Sequence, residues 1–541
     1  MKTIIKASLV AAVALTSANA VSNSALVAKL NSLESELSSI KAKLKKQNKK
    51  INKVKSHDAG DNIKWGVDFR TAMDKIKYDM ADGSTRDKKI IFTNRLWLNM
   101  AYSPNTKNVF KGQLSMYKAY GADFGETPDP SLNPFGMRGT GFDTFDWVTN
   151  EALRDGRVSV RQAYWLYLGD KFLGADIPWT FSLGRRPSTN GFLASLRDDD
   201  APQSPLGHII NVEFDGLSSK LDLSNVTGVP GMSFKLCMGL GSTNATPRLG
   251  TLAMTDYAKD DNALNDTQLA GFIFEPYNDG QYIVKTTAFK AFNMPGFDSS
   301  AFMTAFQGGA ADFSQNGNML GAAISVMVDG LAEEGILADT KVFGSFAWSK
   351  TDPKSGQYML GLDPTVTGMA AGAAAGESKS GTSYWFGAQV PVTEEGKFGL
   401  EYNHGSQYWR PFDYAEDTLA GSKLAARGSA IEAYFTYQLT EALSAQIRYT
   451  KIDYDYTGSN GFFGSGGTPL KISDVKAASA SFDQLAQAGV IQHQDQEGII
   501  ADLMGAGLTQ EEAVGTLLSK SMSSSIVEAA QDLRFYIRYR F

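Results

Sequence analysis

The chain ends on Leu533-Arg534-Phe535-Tyr536-Ile537-Arg538-Tyr539-Arg540-Phe541. Leu533, Phe535, Ile537, Tyr539 and Phe541 are apolar or aromatic, and Arg534, Arg538 and Arg540 fall between them. A period of two sends successive side chains to opposite faces of an extended strand. One face of this segment is therefore apolar and the other cationic, and the two need different surroundings.

The same alternation begins at Ile63, with Ile63, Trp65, Val67 and Phe69 set against Lys64, Gly66, Asp68 and Arg70. It recurs at Phe110–Met116, Trp179–Leu183, Ile431–Leu439 and Leu443–Tyr449. Candidate strands start near 63, 90, 109, 157, 178, 208, 232, 270, 281, 319, 341, 383, 397, 430, 443 and 533. Short links (Ser103 to Asn108, Asn278-Asp279-Gly280, Glu394-Glu395-Gly396, Thr440-Glu441-Ala442) alternate with links of roughly 20 to 75 residues, as in a barrel with turns at one end and loops at the other. Asp279-Gly280 has the composition of a type I′ hairpin turn. An even strand count returns both ends of the sheet to the side of the short turns.

A soluble sandwich would bury the apolar faces against a second sheet, whereas a barrel in a membrane turns them to lipid and keeps a polar lumen. Aromatic residues near strand ends (Tyr102, Tyr167, Trp348, Tyr384, Tyr402, Tyr449) fit interfacial girdles. The expected fold is all-β: a closed antiparallel transmembrane barrel of about 16 strands, within about two.

The N-terminus reads differently. Residues 1–20 have the charge, apolar stretch and closing Ala18-Asn19-Ala20 of a secretory signal peptide. Residues 21–60 carry a heptad seam at Leu26, Leu30, Leu33, Leu37, Ile40, Leu44, Ile51 and Val54, broken only by Gln47. At 1.5 Å per residue its roughly 30 residues make a coiled-coil stalk about 45 Å long. A seam this narrow calls for partner helices, and its mixed Leu and Ile leave the number open. Nine lysines against Glu34 and Glu36 make residues 21–56 basic, so the stalk has the charge to touch anionic peptidoglycan or headgroups. The whole chain carries a net charge of −6, and the rest is correspondingly acidic, which argues against nucleic acid as a partner. Cys237 is the one cysteine, so intramolecular disulfides and C-x-x-C metal or haem motifs are excluded. His57, His208, His404 and His493 are scattered, and neither metal nor cofactor is expected.

The stalk seam, Gly184-Arg185-Arg186-Pro187, Glu401-Tyr402-Asn403-His404-Gly405-Ser406 with Tyr408-Trp409, and the terminal strand together resemble the general porins of Gram-negative outer membranes. More narrowly, they are similar to an uncharacterised porin-like family of epsilon-proteobacteria with an N-terminal coiled coil. The terminal Phe541 resembles the signal by which the barrel assembly machinery recognises outer-membrane barrels. The resemblance implies an outer-membrane location with a periplasmic stalk, contact with lipid, and a homo-oligomer with a trimer favoured. It carries no residue-level function. A minimal porin lacks a counterpart to the helical-looking pieces between Ser473 and Gln531, and residues 461–531 are expected to be a long, partly helical extracellular loop before the last strand. Within it Thr509-Gln510-Glu511-Glu512 has the capping-box pattern.

Passive diffusion of small hydrophilic solutes or ions through a water-filled barrel (61–541) is the function expected. By strand parity Asp68, Arg70, Arg95, Lys111, Arg186, Glu401, Arg448, Arg534 and Arg538 face the lumen, a set rich in arginine that would favour anions. Either the stretch from Gly121 to Arg157 or that from Pro187 to Pro205, with its Asp198-Asp199-Asp200, would form the constriction. The alternative is a structural or adhesive anchor without an open channel. An enzyme would need a nucleophile and base, and His404 with Ser406, about 6.6 Å apart at strand rise, is a poor candidate. Placing Lys at Leu37 and Leu44 is expected to loosen the oligomer, and an unchanged crosslinking ladder would show that the stalk does not hold it together.

Overall fold

A computed structural model describes residues 63–121, 158–243, 265–306, 313–413, 418–459 and 463–541, together with 153 and 156. The expected signal peptide, the expected stalk with its seam residues, and most of the Gly121–Arg157 link lie outside the described residues.

The wall consists of β1 (Lys64–Met80), β2 (Thr85–Tyr102), β3 (Asn108–Ala119), β4 (Ser159–Gly169), β5 (Trp179–Ser188), β6 (Ile210–Asp222), β7 (Ser233–Ser242) and β8 (Thr267–Asn278). It continues through β9 (Tyr282–Phe297), β10 (Ser314–Asp329), β11 (Lys341–Pro353), β12 (Ser380–Pro391), β13 (Gly396–Gly405), β14 (Gly428–Gln438), β15 (Leu443–Tyr454) and β16 (Val527–Arg540). The sheet has 18 segments, and setting aside the two-residue pieces Phe412–Asp413 and Phe463–Gly464 leaves these sixteen. Each strand pairs antiparallel with the next. β16 pairs back on β1 from Asp68↔Arg540 to Met80↔Val527. The barrel is closed, and no wall strand is left with an unpaired edge.

Alternation along each strand separates two faces. Trp65, Phe69, Phe346, Phe386, Leu400, Ile447, Phe535 and Ile537 are exposed on the outside, while Asp68, Arg70, Glu432, Arg448 and Arg534 are buried inside. Outer residues meet across the ladder, as in Phe69↔Tyr539, Thr71↔Ile537 and Ile447↔Phe535. Tyr167 packs on Trp179 near the short-turn end, and Tyr384 on Tyr402 further toward the loops. Trp348 sits mid-strand in β11 rather than at an end.

Three local expectations change. Asp279-Gly280 forms part of a three-residue loop in which Gly280 has φ +96° and Asp279 is not among the positive-φ residues, so the turn is not type I′. Asp279 Oδ1 instead accepts the backbone N–H groups of Gln281 and Tyr282 at 3.0 and 2.7 Å. The first long loop is absent: β1 and β2 run for 17 and 18 residues and meet in a turn over 81–84. β16 begins at Val527, so residues 527–531 belong to the wall and not to the insert.

The insert supplies α1 (Ile472–Gln487), α2 (Gln496–Gly505) and α3 (Gln510–Ser523). The capping box is present: Glu512 N–H donates to Thr509 Oγ1 at 3.3 Å and Thr509 N–H to Glu512 Oε2 at 2.8 Å. Ile472, Val475 and Ile526 pack with Ala81 at the β1–β2 turn. Lys476 bonds Glu528 at 2.6 Å, docking α1 on the rim at β16. His493 Nδ1 lies 2.9 Å from Asp502, whose carboxylate raises the imidazole above its ordinary pKa.

Phe541 exchanges both backbone hydrogen bonds with Val67 at 3.0 Å, and its ring packs edge-on to Tyr539. Deleting Phe541 or replacing it with Asp is expected to reduce the heat-modifiable folded form on an unboiled gel. Normal levels would remove any assembly role from this residue.

Candidate functional site

The lumen is narrowed by its own loops. β4 pairs with β5 only as far as Ala163↔Arg185, whereas β5 and β6 stay paired to Ser188↔Val212. The end of that hairpin leaves the wall, and Ile210–Phe214 are all buried. The connecting stretch 189–209 runs inward. Leu196 and Arg197 carbonyls accept from Gln389 and Gln446 at 3.0 and 2.7 Å, and Asp199 meets Lys397 at 2.7 Å. Of the two constrictions expected, this is the one within the described residues.

His208 pins the loop. Its ring nitrogens lie 2.7 and 2.9 Å from Ser345 Oγ and Ser383 Oγ, and the ring packs against Trp385 and Trp409. With hydroxyls on both sides and no carboxylate in reach among these contacts, the ring is a structural tether.

A second loop, of which residues 406–413 and 418–427 are described, enters from the opposite wall. Trp409 is fully buried and donates through Nε1 to Leu424 O at 2.8 Å. Its backbone lies so close to β12 that a Cβ on Gly381 would sit 2.2 Å from Trp409 N. Phe412–Asp413 then pairs parallel with Ile210–Asn211 of β6. The two loops thus meet in the interior, where Phe412, Phe214, Phe289 and Trp409 share one apolar cluster.

Opposite this apolar half lies a charged one. Arg70 stands across the ladder from both Arg95 and Arg538, and Arg448 from Arg534. Like charges so placed repel, and acids between them offset it. Arg538 holds Asp68 through two nitrogens and reaches Asp200 at 2.7 Å, and Arg95 lies 3.6 Å from Asp68. Arg534 bonds Asp74. Arg70 lies 5.3 and 5.9 Å from the ring centroids of Tyr536 and Tyr117, and Arg95 3.5 Å from Trp97. Asp68 and Asp74 on β1, with Asp200 brought by the loop, therefore offset much of the arginine excess expected from wall parity.

The reverse arrangement occurs on β13 and β14. Glu401 and Glu432 face each other across the ladder, and Lys423, from the entering loop, bonds both at 2.6 Å. Thr450 and Trp385 supply further hydrogen bonds at 2.7 and 3.1 Å.

Of the nine lumen candidates, Asp68, Arg70, Arg95, Glu401, Arg448, Arg534 and Arg538 are at most 3 % exposed on the inner face. Lys111 shares that face but is exposed, and Arg186 is half-buried over the Tyr164 ring at 4.6 Å. Lys111, Lys64, Asn99, Gln113, Tyr164 and Gln203 line a cavity of about 340 Å³ toward the short-turn end. A cleft of about 940 Å³ lies at the loop end between α1, α3 and residues of 362–372.

Other charged residues of the interior were missed. Arg161 turns inward because a bulge between the pairs Gln113↔Gln162 and Leu114↔Val160 breaks parity, and it bonds Glu213 at 3.0 Å. Glu432 was legible, since it alternates with Ile431 and Ala433. Lys423, Arg197 and Asp198 lie in loops, where no period exists to read. His404 bonds Ser429 at 3.1 Å on the outer face, and Ser406 instead accepts from Thr382 N–H at 2.9 Å, so the suggestive His–Ser pair is not brought together.

A family model described as "Protein of unknown function (DUF3373)" matches residues 85–494. No curated protein matches the chain. Among solved structures, an anion-selective porin from Comamonas acidovorans is 10% identical, covering 89% of this chain and 99% of that one, with a TM-score of 0.43. OprB of Pseudomonas putida is 11% identical, with coverage of 91% and 96% and a TM-score of 0.42. OmpF of Salmonella typhi, in a complex with daunomycin, is 12% identical, with coverage of 90% and 99% and a TM-score of 0.41.

Replacing Lys423 with Met would remove the cation that Glu401 and Glu432 share, leaving Glu432 to Arg197 and Arg448 at 3.4 and 3.8 Å, at a cost of up to about 3–5 kcal/mol. The expected result is a lower unfolding temperature for the detergent-folded barrel, with Lys423→Arg close to wild type. Equal melting of Lys423→Met and wild type would show that the two acids do not require the bridge.

Proposed function

The chain belongs to the DUF3373 family, whose function is unknown, so its activity has to be read from the barrel, and we propose that it is an outer-membrane porin of narrow bore. The observation that carries this reading is the inverted polarity of the closed sheet: exposed Trp, Phe, Leu and Ile outside, buried Arg, Asp and Glu within. Outward apolar residues are stable in hydrocarbon, and closure leaves every wall ladder paired, as a membrane demands. No helix among the described residues is long and apolar enough to cross a membrane.

On this reading the short turns and the stalk are periplasmic, the insert is extracellular, and diffusion runs down a concentration gradient. The stalk at 21–60 joins copies of the chain, with three favoured, and its lysines reach peptidoglycan. The barrel assembly machinery takes the terminal strand, and the narrower epsilon-proteobacterial kinship belongs to the same proposal. Two inward loops restrict passage to small solutes, and the nine candidate residues with Arg161 and Glu432 set the field they cross.

One observation favours a second reading. The inner-face charges at the level of Arg70 and Arg448 are almost inaccessible to water, as they would be in a sealed anchor. Planar bilayers separate the two: purified protein is expected to give discrete open steps, larger when residues 189–209 are shortened. A folded but silent barrel, silent also after shortening, would favour the anchor. Lipid contact is tested by Ile447→Arg, expected to lower stability in bilayers by about 2–4 kcal/mol. No loss there would count against outward-facing hydrocarbon.

A further inference from the structure

The charge of the inner wall is not evenly met. Around β15, β16, β1 and β2 the arginines have Asp68, Asp74 and Asp200 beside them. On β5 to β9 Arg185 has Glu213 and Asp215 at 3.9 and 3.4 Å, but not every other cation of this wall is so placed. Lys220 and Lys235 are directly opposed across the ladder between β6 and β7. Arg186 lies over Tyr164, and Lys285 pairs with Glu275 at 3.7 Å. Lys235 is 9 % exposed, and its one hydrogen bond given by the structure is to a neutral group, Ser204 Oγ, at 2.8 Å.

A cavity of about 60 Å³ lies against this wall. Its polar lining among the described residues is Arg186, Lys235, the hydroxyls of Ser204, Ser218 and Thr287, and the Cys237 thiol, with no carboxylate among them. The rest is apolar, with Ile210, Phe214, Leu269, Ile273 and Phe289 among the walls. The space exceeds that of a single water, so it can hold a small solute. An apolar pocket in which a few polar groups converge is the usual form of a small-molecule site. Two cations sharing low-dielectric surroundings without an acid in the lining are stabilised by an anion between them.

We propose that this cavity is a binding site for a small organic carboxylate with an apolar body. Arg186 and Lys235 take the carboxylate, Ser204 on the constriction loop completes its shell, and the Phe214–Ile273–Phe289 side receives the hydrocarbon. The charge fixes the sign of the solute, and the apolar walls separate it from inorganic anions. Ser204 makes the constriction loop part of the site, so the same loop that narrows the lumen holds the solute. The inference rests on the porin reading only for how the solute arrives.

The test uses benzoate with the full-length, detergent-folded protein at low salt. Calorimetric titration is expected to show one saturable site per chain. Lys235→Gln and, independently, Arg186→Gln each weaken it about tenfold, the worth of one charge-assisted hydrogen bond. Lys354→Gln, an exposed loop change, leaves it unaltered. Because Cys237 is the chain's one cysteine and lines the cavity, its reaction with a small thiol reagent is expected to slow as benzoate saturates. The proposal is overturned if wild type shows no saturable binding, if both Gln variants bind as wild type does, or if inorganic phosphate displaces benzoate at equal concentration. Benzoate binding to a barrel that never conducts would sink the porin reading and keep the site. Conducting channels that ignore benzoate would do the opposite.

Discussion

The structure depends on one ladder, the thirteen-pair contact that joins the first wall strand to the last. Until Asp68↔Arg540 and its neighbours form, β1 and β16 each carry an unpaired edge, and the sheet has no inside. Once they form, every wall strand has two partners, and each side chain lies either inside or outside the ring. The apolar half is then free to meet an apolar medium, and the polar half is confined with the loops. Inverted polarity is thus a result of closure acting on a simple alternation.

Confinement has a cost that the interior meets in two ways. Cross-strand register places Arg70 against Arg538 and Glu401 against Glu432, pairs that no isolated sheet would tolerate at close range. The loops carry the opposite charges: Asp200 to Arg538 and Arg540, Lys423 to the glutamates. The remaining interior is filled by apolar loop residues such as Trp409 and Phe412, which turn half of the lumen into a dry core. A sheet that size could leave a wide channel, and the loops decide how much of it stays open.

The wall was legible from residues alone because period two survives over most of each strand. The strand number and most starting points follow from it, as do Asp68, Arg95, Glu401 and Arg538 on the inner face. Legibility failed where that period fails. At β4 a bulge turns Arg161 inward against parity. At 81–84 a tight turn joins strands that outrun the expected wall height, so residues assigned to a loop are paired. The charges brought by 189–209 and 406–427 depend on tertiary packing, to which local spacing is blind. Tyr408-Trp409 stood out in the sequence only as part of a resemblance, and it is the approach to Gly381 that places the pair inside.

The aspartates of the constriction loop have a bearing on the order of assembly. Asp200 is held by Arg538 and Arg540, both on the C-terminal strand, while the loop itself lies between β5 and β6. A nascent wall lacking its final strand has no such anchor to offer. The Asp200 contact therefore waits on the last strand, whereas Gln389, Gln446 and Lys397 hold other parts of the loop without it.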